Sequence, residues 1–125
     1  DPCIAEGIVS ANLDNTAWQA NTPALTFQNN TFNLTAVASD GSRIIITVSN
    51  LTEAGNVSNF SLIYNIGSET YNIVASEEIN QLDIIKLDGG KISGNFQGDV
   101  KYSDPGTGAE TVLTIRNGQF RNLTY

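Results

Sequence analysis

Six carboxylates in the second half of the chain, Glu77, Glu78, Asp83, Asp88, Asp99 and Asp104, are the first residues to weigh as chemistry. Two carboxyls at a fixed separation, one protonated and one ionised, can cleave a glycosidic bond. That reaction needs a substantial cleft. These acids instead fall at turn sequences or on the polar side of an alternating strand, where solvation accounts for them. A serine nucleophile needs an adjacent base. With no His in the chain, only Lys86, Lys91 or Lys101 could serve, and neither Ser-x-x-Lys nor Gly-x-Ser-x-Gly occurs. The missing His also removes the commonest metal ligand and near-neutral titrating group. Calcium would find oxygen donors at Asp40-Gly41-Ser42, Asp88-Gly89-Gly90 and Asp104-Pro105-Gly106, but these are turn sequences and none has EF-hand spacing. No glycine-rich loop opens a helix, so nothing cradles a phosphate. The expectation is no catalytic centre, no cofactor and no metal.

Binding demands less: a concave or flat patch with an aromatic or two and several amides. The Asn-rich stretches Asn50–Asn59 and Asn65–Thr70, with Tyr64 and Tyr71 beside them, are the candidates for ligand binding. Trp18 suits either a sugar platform or a core anchor. Its neighbours Ala17 and Gln19 alternate with it, which favours the core. Six Asn-x-Ser/Thr sequons begin at Asn29, Asn33, Asn50, Asn56, Asn59 and Asn122, and they read as a consequence of an Asn- and Thr-rich composition.

The elements that must hold such residues are strands. A chain of 125 residues with 40% hydrophobic content suffices for one core. A net charge of −7 disfavours nucleic acid and an anionic bilayer as partners. One cysteine, Cys3, cannot form an internal disulfide. The densest apolar run, Ile44-Ile45-Ile46, is strand-sized, and no run approaches a membrane-spanning helix.

β-Branched residues and turn dipeptides recur in the rhythm of a sandwich or barrel. Strands are expected over Ile8–Leu13, Thr16–Ala20, Phe32–Ala38, Arg43–Ser49, Val57–Tyr64, Glu69–Ala75, Gln81–Leu87, Ile92–Tyr102, Glu110–Arg116 and Gln119–Tyr125. Asp14-Asn15, Ser39–Ser42, Asn65–Ser68, Asp88–Gly90 and Asp104–Gly108 supply turns, and Pro23 breaks pairing in its loop. Ser76–Asn80 is the one place for a short helical turn. The clearest alternation puts Ile92, Gly94, Phe96, Gly98, Val100 and Tyr102 inside and their odd-numbered neighbours outside. Asn117-Gly118 is a bulge or a sharp bend. The predicted architecture is all-β, an antiparallel β-sandwich or flattened β-barrel of about eight to ten strands, rich in meanders. Residues 7–125 form its single domain and residues 1–6 a linker.

Three segments carry a resemblance. Leu13-Asp14-Asn15-Thr16-Ala17-Trp18 resembles the opening "(I/V)DG-x-xW" hairpin of an uncharacterised family of Bacteroidetes lipoproteins. Lys91-Ile92-Ser93-Gly94-Asn95-Phe96 is similar to its "xISGxF" strand, and Asn117-Gly118-Gln119-Phe120 to its closing "NGxF" element. The resemblance implies export and attachment to a membrane through a lipidated N-terminal Cys, and it carries no activity. Cys3 follows Asp1-Pro2, unlike the small apolar residues that precede a lipidated Cys, which places the anchoring Cys upstream.

Two functions remain open. One is a non-enzymatic, exported cell-envelope module, periplasmic or at the cell surface, binding a glycan, peptide or envelope protein. The other is a small lipocalin-like barrel carrying an apolar molecule, its interior hollowed by Gly94 and Gly98. A filled core favours the first and a connected apolar cavity the second.

Overall fold

The computed structural model describes residues 7–21, 23–74 and 79–125. Alternation builds the first hairpin. Val9, Ala11 and Leu13 point inward along β1 (Val9–Leu13), and Trp18 and Ala20 do so along β2 (Thr16–Ala20). Leu13 pairs with Thr16 across a two-residue loop, where Asp14 and Asn15 take φ of 49° and 69°. This is type I′ geometry, whose twist suits a tight hairpin and which Asp and Asn tolerate. Asn29 and Asn30 repeat the device between β3 (Ala24–Gln28) and β4 (Thr31–Val37).

The remaining strands are β5 (Arg43–Val48), β6 (Gly55–Val57), β7 (Ser61–Ile66), β8 (Glu69–Ile73), β9 (Gln81–Asp88), β10 (Lys91–Ser103) and β11 (Glu110–Thr124). All pairings are antiparallel, and the sheet curls into a half-barrel. Its order is β2-β1-β11-β10-β8-β7-β5-β4-β3. The 13 residues of β10 form a junction: β11 lies along one side, while the other is shared by β9 and, at Val100 and Lys101, by β8. β6 extends the sheet beyond β9.

The curl brings distant strands face to face. Phe32 of β4 and Phe120 of β11 stand five pairings apart in the sheet, yet their ring centroids are 5.9 Å apart. Phe96 stacks on the other side of Phe120 at 6.2 Å. Ile44, Ile46, Leu62, Leu82, Ile84, Ile92 and Ile115 complete an apolar interior.

Gly94 and Gly98 do not hollow that interior, contrary to the carrier expectation. A Cβ on Gly94 would lie 2.6 Å from the Phe120 ring, and one on Gly98 would meet Asn80 Oδ1 at 2.8 Å and Leu62 at 3.3 Å. The absent side chains make room for neighbours that already fill the space.

The even-inside register of β10 is as the alternation predicts, with Phe96 2% exposed. Its odd members are less uniform: Asn95 is exposed, but Asp99 and Lys101 are half-buried. Gln97, expected outside, is half-buried, its amide donating to Ile79 O at 3.0 Å. Ser93 is buried because both flanking strands bulge beside it, β9 at Ile85 and β11 at Asn122. Its hydroxyl stays satisfied, accepting the Asn122 N–H at 2.8 Å.

Three strand assignments depart from expectation. β3 is a strand the sequence reading did not expect, and it follows Pro23 directly, since a proline at the start of an edge strand costs no ladder bond. Val57 belongs to β6, and β7 begins only at Ser61. Glu110–Thr124 is one strand, with Asn117 as a bulge rather than a bend. Most of the expected helical turn at Ser76–Asn80 lies outside the described residues, as do residues 1–6 with Cys3.

Candidate functional site

Tyr64 and Tyr71, the predicted ligand-binding pair, are core residues at 7% and 9% exposure. They face each other across the β7–β8 hairpin, with ring centroids 5.7 Å apart, and Tyr71 stacks onward against Tyr102 at 5.6 Å. Alternation explains the correction: Leu62, Tyr64 and Tyr71 share the inner face of their strands. Burial pushes the Tyr71 phenol above its ordinary value of 10.0, assisted by its hydrogen bond to Glu69 at 3.2 Å. The Asn50–Asn59 loop lies apart, curving around an exposed hollow of about 510 Å³.

Trp18 is in the core, as its alternation predicts, at 7% exposure. Its indole N–H donates to Ser42 Oγ at 2.9 Å. Ser42, fully buried, donates in turn to Asp40 Oδ1 through both its hydroxyl and its backbone N–H. These bonds hold the exposed Asp40 carboxyl below its ordinary value. The chain of bonds ties β2 to the β4–β5 turn, and Asp40-Gly41-Ser42 works as a turn and a tether.

The described carboxylates of the six are dispersed: Asp88 is exposed at the end of β9, and the other three are engaged. Asp83 Oδ1 accepts from Asn56 Nδ2 at 2.8 Å, and Asp99 pairs with Arg116 at 2.9 Å. Asp104 Oδ1 accepts the Gly106 N–H within its own turn. Glu77 and Glu78 lie outside the described residues. Lys86 donates to Asn122 Oδ1, Lys91 to Thr124 Oγ1, and Lys101 pairs with Glu110. Among the described residues, no three of His, Cys, Asp and Glu gather to hold a metal ion.

One concave polar surface lies on the outer face of β9, β10, β11, β1 and β2, while larger exposed hollows of about 420 and 500 Å³ lie beside Lys91 and Asn122 and beside Asn72 and Lys101. Register sets out the first. Asn56 pairs with Asp83, Asp83 with Asn95, Asn95 with Gln119, Gln119 with Ser10, and Ser10 with Gln19. The result is one straight row of polar side chains across six strands. One step of alternation away, Gln81 pairs with Gln97, and Asn12 and Asn117 continue a second row. Between the rows runs a line of inward-facing residues, with Leu82 opposite Phe96, Phe96 opposite Gly118, and Ala11 opposite Trp18.

These rows bank two depressions. One, of about 250 Å³, is lined by Gln81, Asp83, Asn95, Gln97, Asn117 and Gln119 over a floor of Phe96 and Gly118. The other, of about 290 Å³, is lined by Ser10, Asn12, Ala17, Gln19 and Asn117 over Ala11 and Trp18. They meet at Asn117, which lines both and takes φ 54° at the bulge of β11. Together they form one trough that crosses the strands.

The arginines of β11 buttress the trough from its flanks. Arg121 donates to Asn95 Oδ1 at 2.7 Å and to Gly94 O at 2.7 Å, and Arg116 donates to Gly98 O at 3.2 Å. Within the trough, Gln119 Oε1 is shielded from solvent and has no hydrogen-bond partner among the described residues. A buried acceptor left unpaired costs about 1–3 kcal/mol, so a turn of the half-buried Gln119 side chain that brings this oxygen to a ligand's donor would recover that deficit. Sequence reasoning missed this site. Its polar residues were legible as outward-facing members of alternating strands, but nothing local shows that five separate strands put them in line.

No protein-family model matches this sequence, and no curated protein matches it.

Proposed function

We propose that this protein is a non-catalytic binding module of the bacterial cell envelope, and that its ligand-contact surface is the amide-lined trough across β9, β10, β11, β1 and β2. The observation that carries the reading is Gln119 Oε1, an unpartnered and shielded acceptor set among side chains that both donate and accept. The ligand is a glycan, a peptide or an envelope protein. Amides position and recognise such ligands, whereas proton transfer needs titrating groups poised together. Asp83 and Asp99 are instead each committed to a neighbour. The filled interior supports a surface binder over an internal apolar carrier.

The resemblance to Bacteroidetes lipoproteins supports export and lipid anchorage. Its three segments fall on β1–β2, β10 and β11, the strands that carry most of the trough. The test is a glycan array and native mass spectrometry of freshly purified protein, read beside glycosidase, protease, esterase and phosphatase panels. Binding that Gln119→Ala weakens, without turnover, is expected. Reproducible turnover abolished by Asp83→Asn or Asp99→Asn would overturn the non-enzymatic reading.

A further inference from the structure

We infer that the trough takes a neutral, extended polysaccharide of β-1,4-linked pyranose rings, lying across the strands with about one ring per strand. The inference rests on the binding-module reading above and adds the ligand class and its register.

Spacing comes first. Neighbouring strands lie about 4.8 Å apart, so the five strands under the trough span roughly 19 Å. A β-1,4-linked chain with equatorial linkages is a nearly straight ribbon, and it advances by close to one interstrand spacing per ring. Each ring would therefore meet the two bank residues of one strand: Gln81 and Asp83 on β9, Asn95 and Gln97 on β10, Asn117 and Gln119 on β11, Ser10 and Asn12 on β1. An extended peptide advances about 3.3 Å per residue and falls out of step with the rows. It also finds no strand to join there, because β10, β11 and β1 are paired on both sides within the sheet.

Hydrogen-bonding chemistry agrees. A sugar hydroxyl donates and accepts, and so do the amides and the serine of the banks. Asp83 is the one charged bank residue, and its Oδ1 already accepts from Asn56. A chain carrying carboxylates or sulfates would meet that acid and a protein of net charge −7, which selects for a neutral ligand. Gln119 Oε1 lies at the middle of the line and lacks a donor, which a hydroxyl or an acetamido N–H supplies. The aromatic rings under the floor, Trp18 and Phe96, are buried, so ring stacking contributes little. Affinity must then accumulate ring by ring.

That accumulation is the test. Cello-, xylo-, manno- and chito-oligosaccharides of two to six rings are titrated by calorimetry. At least one hexasaccharide should bind, with affinity rising tenfold or more from disaccharide to pentasaccharide and flattening beyond. Asn12→Ala and Gln81→Ala, at opposite ends, should each weaken the hexasaccharide several-fold and leave the disaccharide unchanged. Gln119→Ala should weaken every length. Melting temperatures equal to the parent's confirm that the variants are folded, and Gln119→Glu replaces Gln119→Ala should the latter melt early. Four hexasaccharides that fail to bind at millimolar concentration would overturn the inference, as would affinity independent of length. If a peptide or envelope protein binds instead and the Gln119 variant abolishes it, the polysaccharide inference falls while the binding-module reading stands. If trough variants alter no binding of any kind, both fall.

Discussion

Ser42 shows how a single hydroxyl fixes the packing of two distant elements. It accepts the indole N–H of Trp18 and donates to Asp40, so a buried polar group is satisfied on both sides. Ser42→Ala would leave that N–H buried without a partner, at a cost of about 1–3 kcal/mol. The lone Trp in the chain makes the effect easy to follow. Urea unfolding monitored by Trp18 fluorescence should move to a lower midpoint, and an unchanged midpoint would contradict the tether. The pH dependence has a definite sign. Asp40 titrates below its ordinary value in the fold, so its bonds stabilise above the unfolded carboxyl's pKa and are lost as pH falls through the lower folded value. Ser42→Ala should reduce that part of the acid-side slope without removing it, because the backbone N–H of residue 42 still donates to Asp40. The sequence placed Trp18 in the core through alternation, but Ser42, 24 residues away, looked like an ordinary turn residue.

Among the elements, the β10–β11 pair carries most of the architecture. β11 bulges at Asn117 and Asn122, five residues apart, with φ of 54° and 49°. An arginine precedes each bulge and donates to a carbonyl across on β10, Gly98 O from Arg116 and Gly94 O from Arg121. Gly118, between the bulges, leaves room for Phe96. A Cβ there would lie 2.5 Å from the ring and 2.6 Å from the Phe96 carbonyl oxygen, and a backbone atom of a central strand cannot step aside. Gly118→Ala should therefore cost at least the 1–3 kcal/mol typical of overpacking, read as a fall in melting temperature. Phe96→Ala alone should cost about 3–5 kcal/mol. Because the two changes relieve one another at the ring, the double variant should lose less than the sum of the two. Strict additivity would show that the clash is not with that ring. The alternation of β10 was legible without help, since six inward positions recur at period two. Its exceptions were not. Ser93 is buried by bulges on the neighbouring strands, a property of pairing rather than of the segment itself.

At the scale of the whole molecule, the fold brings the two ends of the chain together. Asp14 Oδ1 accepts from the backbone N–H and hydroxyl of Thr114, 100 residues away, and β1 lies along β11 throughout. Folding that must close such loops is slow, in the millisecond-to-second range common to sandwiches and barrels. The same non-local pairing accounts for what the sequence reveals about function. The expectation of no catalytic centre rests on charge, the missing His and carboxylates spread along the sequence, all of them read within single segments. Tyr64 and Tyr71 looked like surface aromatics beside Asn-rich loops, but strand register turns both inward. The trough needs Ser10, Gln119, Asn95 and Asp83 in one line, and that line exists only once strands from both ends of the chain are paired.

The most direct test of the trough as the binding surface is nuclear magnetic resonance of the side-chain amides. ¹⁵N-labelled protein is titrated with the tightest ligand from the glycan and peptide arrays. The NH₂ resonances of Asn12, Asn95, Gln97, Asn117 and Gln119 should shift together and saturate at a single affinity, while those of Asn50, Asn59 and Asn72 stay in place. Shifts confined to the Asn50–Asn59 loop or to the Tyr71–Tyr102 end, with the five trough amides unmoved, would contradict it.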